Sequence, residues 1–117
     1  MEKKIAVLIV DDEKDICNSF KNYLEKREII VDIALDGDRA KDLITTKTYD
    51  YIFFDFNLPG IPGIELPGII KTHNPNAKKF MITGYDLVTD KFPQYLELDG
   101  MFRKPLSLED LYKVIEK

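Results

Sequence analysis

Five short apolar runs, each parted from the next by a polar or amphipathic stretch, constrain this chain more than any other feature. They predict strands over residues 5–10, 29–35, 51–55, 79–83 and 100–103. Between the first two, Ile16, Phe20, Tyr23 and Leu24 recur at the spacing of one helix face. A second helix is expected over residues 38–46, burying Ala40, Leu43 and Ile44. Pro67 falls in the expected first turn of a third helix, and Pro93 shortens or bends a fourth near residues 86–96. Ser107-Leu108-Glu109-Asp110 has the form of a capping box, with Leu108, Leu111, Val114 and Ile115 following on one side. Alternation this regular requires parallel strands joined by right-handed crossovers, with helices on both faces of the sheet. The expected fold class is therefore α/β, a doubly wound five-stranded parallel sheet. Its first and third strands, almost free of polar residues, are expected to be central.

Residues 1–117 are expected to form one domain, large enough for a core without staples. No apolar stretch is long enough to cross a bilayer. The net charge is -4 and the basic residues are scattered, which argues against direct nucleic-acid binding. Cys17 is the only cysteine, so no internal disulfide can form and a reducing compartment is expected. The first residues carry charge but no signal-like apolar core, and a cytoplasmic location is expected.

The ends of the strands carry the chemistry. Asp11 and Asp12 close the first run, Asp55 the third and Thr83 the fourth, and Lys104-Pro105 follows the fifth. Open parallel sheets build their sites at the carboxyl ends of strands. Gathered carboxylates repel unless a cation neutralises them, and oxygen-only ligands favour a hard divalent ion such as Mg²⁺. A carboxylate can also act as a nucleophile toward phosphorus. Each residue has a plainer reading: Asp11 and Asp12 as helix caps, Asp55 as a turn residue, Thr83 as a strand former, Lys104 as a solvated lysine. The joint pattern favours the functional one.

Val10-Asp11-Asp12-Glu13, Asp55-Phe56-Asn57-Leu58-Pro59-Gly60, Thr83-Gly84, Lys104-Pro105 and the stretch Asp36-Gly37-Asp38-Arg39-Ala40 resemble the receiver domains of two-component response regulators. The resemblance implies a flavodoxin-like (βα)5 fold with strand order 2-1-3-4-5. It implies that Asp55 accepts a phosphoryl group from a histidine kinase or phosphotransfer protein. Asp12 and Asp55 would hold Mg²⁺, or Mn²⁺ in its place, with Asn57 adding its main-chain carbonyl and Asp11 acting through a water. Lys104 would pair with a phosphoryl oxygen, and Thr83 would turn its hydroxyl toward the group beside a permissive Gly84. The Lys104–Pro105 peptide would be cis. The domain would not be an enzyme beyond self-directed phosphoryl transfer and autodephosphorylation. It would signal to a downstream protein or output domain as a monomer or a phosphorylation-dependent dimer.

Met101 stands where the family usually has an aromatic residue, Phe102 is expected on the opposite face, and Pro62, Pro67 and Pro93 also depart from the pattern. Tyr85 and Asn57 occupy positions where the family tunes loss of the phosphoryl group. His73 is the only histidine, which disfavours an internal phosphohistidine relay. Two other readings stand beside this one. The first is an aspartate-nucleophile phosphatase of the haloacid dehalogenase type using Asp11, though Glu13 occupies the place of that family's second Asp. The second is a degenerate receiver serving only for docking.

Overall fold

The computed structural model of the protein describes residues 4–84 and 97–116. Five strands, β1 (Ala6–Val10), β2 (Ile30–Ala34), β3 (Tyr51–Asp55), β4 (Lys78–Thr83) and β5 (Gly100–Arg103), form one parallel sheet in the order β2-β1-β3-β4-β5. Among the described residues the helices are α1 (Lys14–Glu25), α2 (Gly37–Thr46), α3 (Leu66–His73) and α4 (Leu108–Glu116), with a 3₁₀ turn at Gly63–Glu65 ahead of α3. The expected doubly wound sheet, its strand order and the interior placement of β1 and β3 are thus all observed. The helix anticipated near residues 86–96, with Pro93, and the position of Tyr85 lie outside the described residues. No described helix is long and apolar enough to cross a membrane.

Side chains alternate across each strand, so the sheet feeds two cores. On one face Leu8, Val10, Ile52, Phe54 and Met81 pack with Ala40, Leu43 and Ile44 of α2 and Leu66 and Ile70 of α3. On the other, Val7, Ile9, Phe53, Phe80 and Ile82 meet Cys17, Phe20 and Leu24 of α1 and Leu111 and Ile115 of α4. Cys17 therefore belongs to the buried face of α1, whereas Ile16 and Tyr23 border it. The parallel register lines up an aromatic row on this second face. The Phe53 ring lies 5.2 Å from Phe80, which lies 5.8 Å from Phe102. Met101 and Phe102 do take opposite faces, Met101 bordering the α2–α3 core and Phe102 the α1–α4 core.

Helix ends follow local chemistry. α2 starts one residue before the expected 38, because Asp36 is its cap: the Arg39 amide donates to Asp36 Oδ1 at 2.7 Å. At its other end the buried Asn74 side chain donates to the carbonyls of Ile44 (2.8 Å) and Lys47 (3.0 Å) and accepts from the Tyr49 amide (2.8 Å). One side chain thereby satisfies carbonyls that a helix terminus leaves unpaired. Pro67 occupies the first turn of α3, where its missing N–H costs nothing. Ser107 Oγ accepts from the Asp110 amide at 3.0 Å, the N-terminal half of the expected capping box.

Candidate functional site

The sheet's hydrogen bonding runs one residue past three strand ends, and the site's residues lie at or beside those positions. The Asp11 amide donates to the Ala34 carbonyl (3.0 Å), that of Phe56 to Ile82 (2.9 Å) and that of Lys104 to Thr83 (2.8 Å). Asp11, Asp55 and Lys104 are therefore fixed by the ladder rather than by free loops. The Lys104–Pro105 peptide is cis.

Asp11, Asp12 and Asp55 converge, with one carboxylate oxygen of each lying within 4.8 Å of the others. Asp11 and Asp55 are buried, 2% and 5% exposed, and Asp12 faces solvent. Lys104 Nζ lies 2.7 Å from Asp55 Oδ2 and 3.2 Å from Asp11 Oδ2. The other oxygens are held by backbone: Asp55 Oδ1 accepts from the Asn57 amide at 3.0 Å, and Asp11 Oδ1 from the Glu13 amide at 2.8 Å. Thr83, buried at the end of β4, adjoins Lys104 through its backbone carbonyl. The anticipated cap at Asp11 is thus a local turn made with one oxygen while the other faces the ammonium. Glu13, not Asp12, occupies the cap position of α1, and its side chain makes no capping bond.

Charge balance follows from burial. Burial raises the Asp11 carboxyl above its ordinary 3.8, against the lowering effects of the Glu13 amide and Lys104. Burial also presses on the Lys104 ammonium, but the hydrogen bond to Asp55 and the charges of Asp11 and Asp55 outweigh it and raise its pKa. Because folded Asp11 holds its proton more tightly than the unfolded chain, ionising it opposes folding. Its favourable contribution is full at the acid end and fades as pH rises from 3.8 through the raised folded value. A ¹³C titration of the Asp11 carboxyl should show a midpoint above 3.8 that moves down when Mg²⁺ is added. A midpoint at or below 3.8 would contradict this account of burial.

The donor set fits a small divalent cation. Oxygens around a six-coordinate Mg²⁺ at about 2.1 Å stand about 3–4.2 Å apart, which a cluster within 4.8 Å can supply. Exposed Asp12 leaves the cluster open on one side. Between α1 and the segment after β5 lies a cleft of about 640 Å³. Asp11 and Lys104 border it, and Ile16, Phe20, Ile82 and Leu106 supply apolar walls.

Cys17 needs no chemical role. Its thiol donates to the Asp11 carbonyl at 3.3 Å, and burial with the nearby Asp11 charge pushes its pKa up to about 12. A thiolate-specific disulfide reagent at pH 8 should therefore label folded protein far more slowly than protein in denaturant. Equal rates would show the thiol to be accessible.

The profile of the response regulator receiver domain matches residues 7–116. The chain belongs to that family. The receiver is 29% identical over 112 residues to the regulatory protein VanRB of Enterococcus faecalis, covering 96% of this chain and 51% of that protein. It thus spans about half the length of that relative. A CheY-like receiver domain of Methanospirillum hungatei superposes with a TM-score of 0.88 at 30% identity, covering 97% of this chain and 92% of the other. The response regulator TrrA of Thermotoga maritima, solved in complex with Mg²⁺ and BeF, superposes with a TM-score of 0.82 at 26% identity, covering 96% of each chain. The protein is a receiver domain of two-component signal transduction, a signalling domain.

Gly60 belongs to the motif that carries the resemblance, but what Gly63 does in the β3–α3 connection is seen only in the fold. A Cβ on Gly63 would lie 2.4 Å from the Phe56 carbonyl oxygen and 2.7 Å from that of Asp55. The signal was a glycine eight residues beyond an acidic strand end, but nothing local identifies what it touches.

Proposed function

We propose that Asp55 is the phosphoacceptor of this receiver, taking a phosphoryl group from the phosphohistidine of a kinase or phosphotransfer protein. The observation that carries the reading is Lys104 Nζ bridging Asp55 and Asp11 within a three-carboxylate cluster. The oxygen chemistry of that cluster, and the Mg²⁺–BeF complex of the similar TrrA, support Mg²⁺ as its cation, with Mn²⁺ able to replace it. Asp12 and Asp55 would hold it with the Asn57 carbonyl, and Asp11 would act through a water. When bound, Mg²⁺ offsets charge on the transferring phosphoryl group.

An oxygen of Asp55 attacks phosphorus, the bond from phosphorus to the donor imidazole nitrogen breaks, and the imidazole leaves with the electron pair. Lys104 then turns from the carboxylate to a phosphoryl oxygen, and Thr83 brings its hydroxyl to another. The new group adds nearly two negative charges at one point. Through the Lys104–Thr83 backbone link, β4 and β5 respond together and bias a surface that a target protein or output domain binds. The apolar cleft beside Asp11 and Lys104 gives a donor protein a place to rest while its histidine reaches Asp55. The domain works in the cytoplasm, as a monomer or as a dimer formed on phosphorylation.

Acetyl phosphate with Mg²⁺ should add one phosphoryl group, visible by intact mass and mapped to Asp55, and a chelator should prevent it. Labelling elsewhere, or labelling indifferent to the chelator, would overturn the proposal.

A further inference from the structure

The loop that follows Asp55 is gripped from two sides by backbone, at glycines. On the inner side Gly63 rests on the Asp55 and Phe56 carbonyls, where a Cβ would collide with both oxygens. On the outer side the first turn of α2 leans on the same loop. The Gly37 amide donates to the Pro59 carbonyl at 3.0 Å. A Cβ on Gly37 would lie 2.3 Å from the Ile61 carbonyl oxygen and 2.8 Å from both its nitrogen and its Cβ. Gly60, between these contacts, has φ of +80° and lies against Asp38 of the same turn. Asn57, whose amide holds Asp55 Oδ1, lies within the clamped segment.

We infer that Gly37 is a positioning residue for the cation site, its bare Cα letting α2 clamp the loop and so fix where the Asn57 carbonyl points. The inference rests on the proposed role of that carbonyl as a ligand. A methyl group at position 37 meets main-chain atoms that cannot rotate aside, so the loop itself must move by roughly 1 Å to restore ordinary contact. Mg²⁺ demands near-ideal octahedral geometry, whereas Ca²⁺ accepts irregular coordination. A displaced carbonyl therefore penalises Mg²⁺ more than Ca²⁺, which a general loss of stability would not do. Gly68, in α3, is the control, because a Cβ there meets nothing within 4 Å.

The test compares Gly37→Ala, Gly68→Ala and the parent by calorimetric titration with Mg²⁺ and separately with Ca²⁺, alongside urea melts. Gly37→Ala should raise the Mg²⁺ dissociation constant by about tenfold or more and that of Ca²⁺ by clearly less. Gly68→Ala should match the parent. Labelling by acetyl phosphate in Gly37→Ala should slow at low Mg²⁺ and recover toward the parent rate at saturation. Ile61→Gly keeps the main-chain atoms but removes the Cβ that Gly37 faces and frees the loop's backbone, and should shift Mg²⁺ binding the same way should Gly37→Ala fail to fold. A Gly37→Ala protein that folds and binds Mg²⁺ as the parent does, or loses both ions equally, overturns the clamp alone. A parent that binds neither ion overturns the cation site and the clamp together.

Discussion

Asparagine at position 55 is expected to erase acetyl phosphate labelling, lowering its rate on the order of 10³-fold or more, while the domain stays folded. The amide keeps an oxygen for the Asn57 N–H, so the turn after β3 retains its hydrogen bond. What disappears is the proposed anionic nucleophile and its 2.7 Å ion pair with Lys104. Asp11→Asn should behave differently. Labelling should slow because cation binding weakens, yet the label should still map to position 55. The pair of variants separates two chemistries on one sheet edge. If Asp11→Asn abolished labelling and Asp55→Asn preserved it, the nucleophile would be Asp11, as in the phosphatase alternative. Circular dichroism on both variants checks that loss of label is not loss of fold.

Phe53→Ala should cost about 3–5 kcal/mol, a large share of the roughly 5–15 kcal/mol that holds a small domain together. Phe53 is fully buried on the middle strand of the sheet, with β1 and β4 on either side. Its ring is 5.2 Å from Phe80, 6.3 Å from Phe102 and 6.5 Å from Tyr51, so truncation opens a hole facing three aromatic neighbours. Backbone pairing on both sides prevents the strand from sinking to fill it. Urea denaturation should show a lower midpoint with an unchanged slope. A loss below about 1 kcal/mol would mean that the row repacks freely. Because Asp55 is only two residues further along β3, some slowing of labelling should accompany this variant even where it remains folded.

Much of this architecture could be read from residues alone. β1, and β3 up to Asp55, are apolar because both faces are covered, and that continuous pattern marks them as central. Asp11, Asp12, Asp55 and Lys104 were readable because each sits at a strand end, and parallel strands must deliver their ends to one edge. α2 starts one residue before the expected 38 because Asp36 accepts from the Arg39 amide, a contact that residue patterning alone does not show. The Asn74 clip and the Gly37–Ile61 approach had no sequence signature. Both join segments more than twenty residues apart through main-chain atoms, whose positions depend on the whole packed layer. Local patterning reports which face a side chain takes, and says nothing about which distant carbonyl it will meet.

The salt link from Lys104 to two carboxylates also bears on how the domain senses its surroundings. An arriving divalent ion does not fall into an uncompensated negative well; it competes with an ammonium tethered in place. For a cation held as proposed, the net attraction would be the difference between two favourable pairings, so occupancy would follow the ambient ion level instead of saturating at trace amounts. A cation bound against that competitor would also leave more readily, so resetting the signal would not wait for a trapped metal to escape.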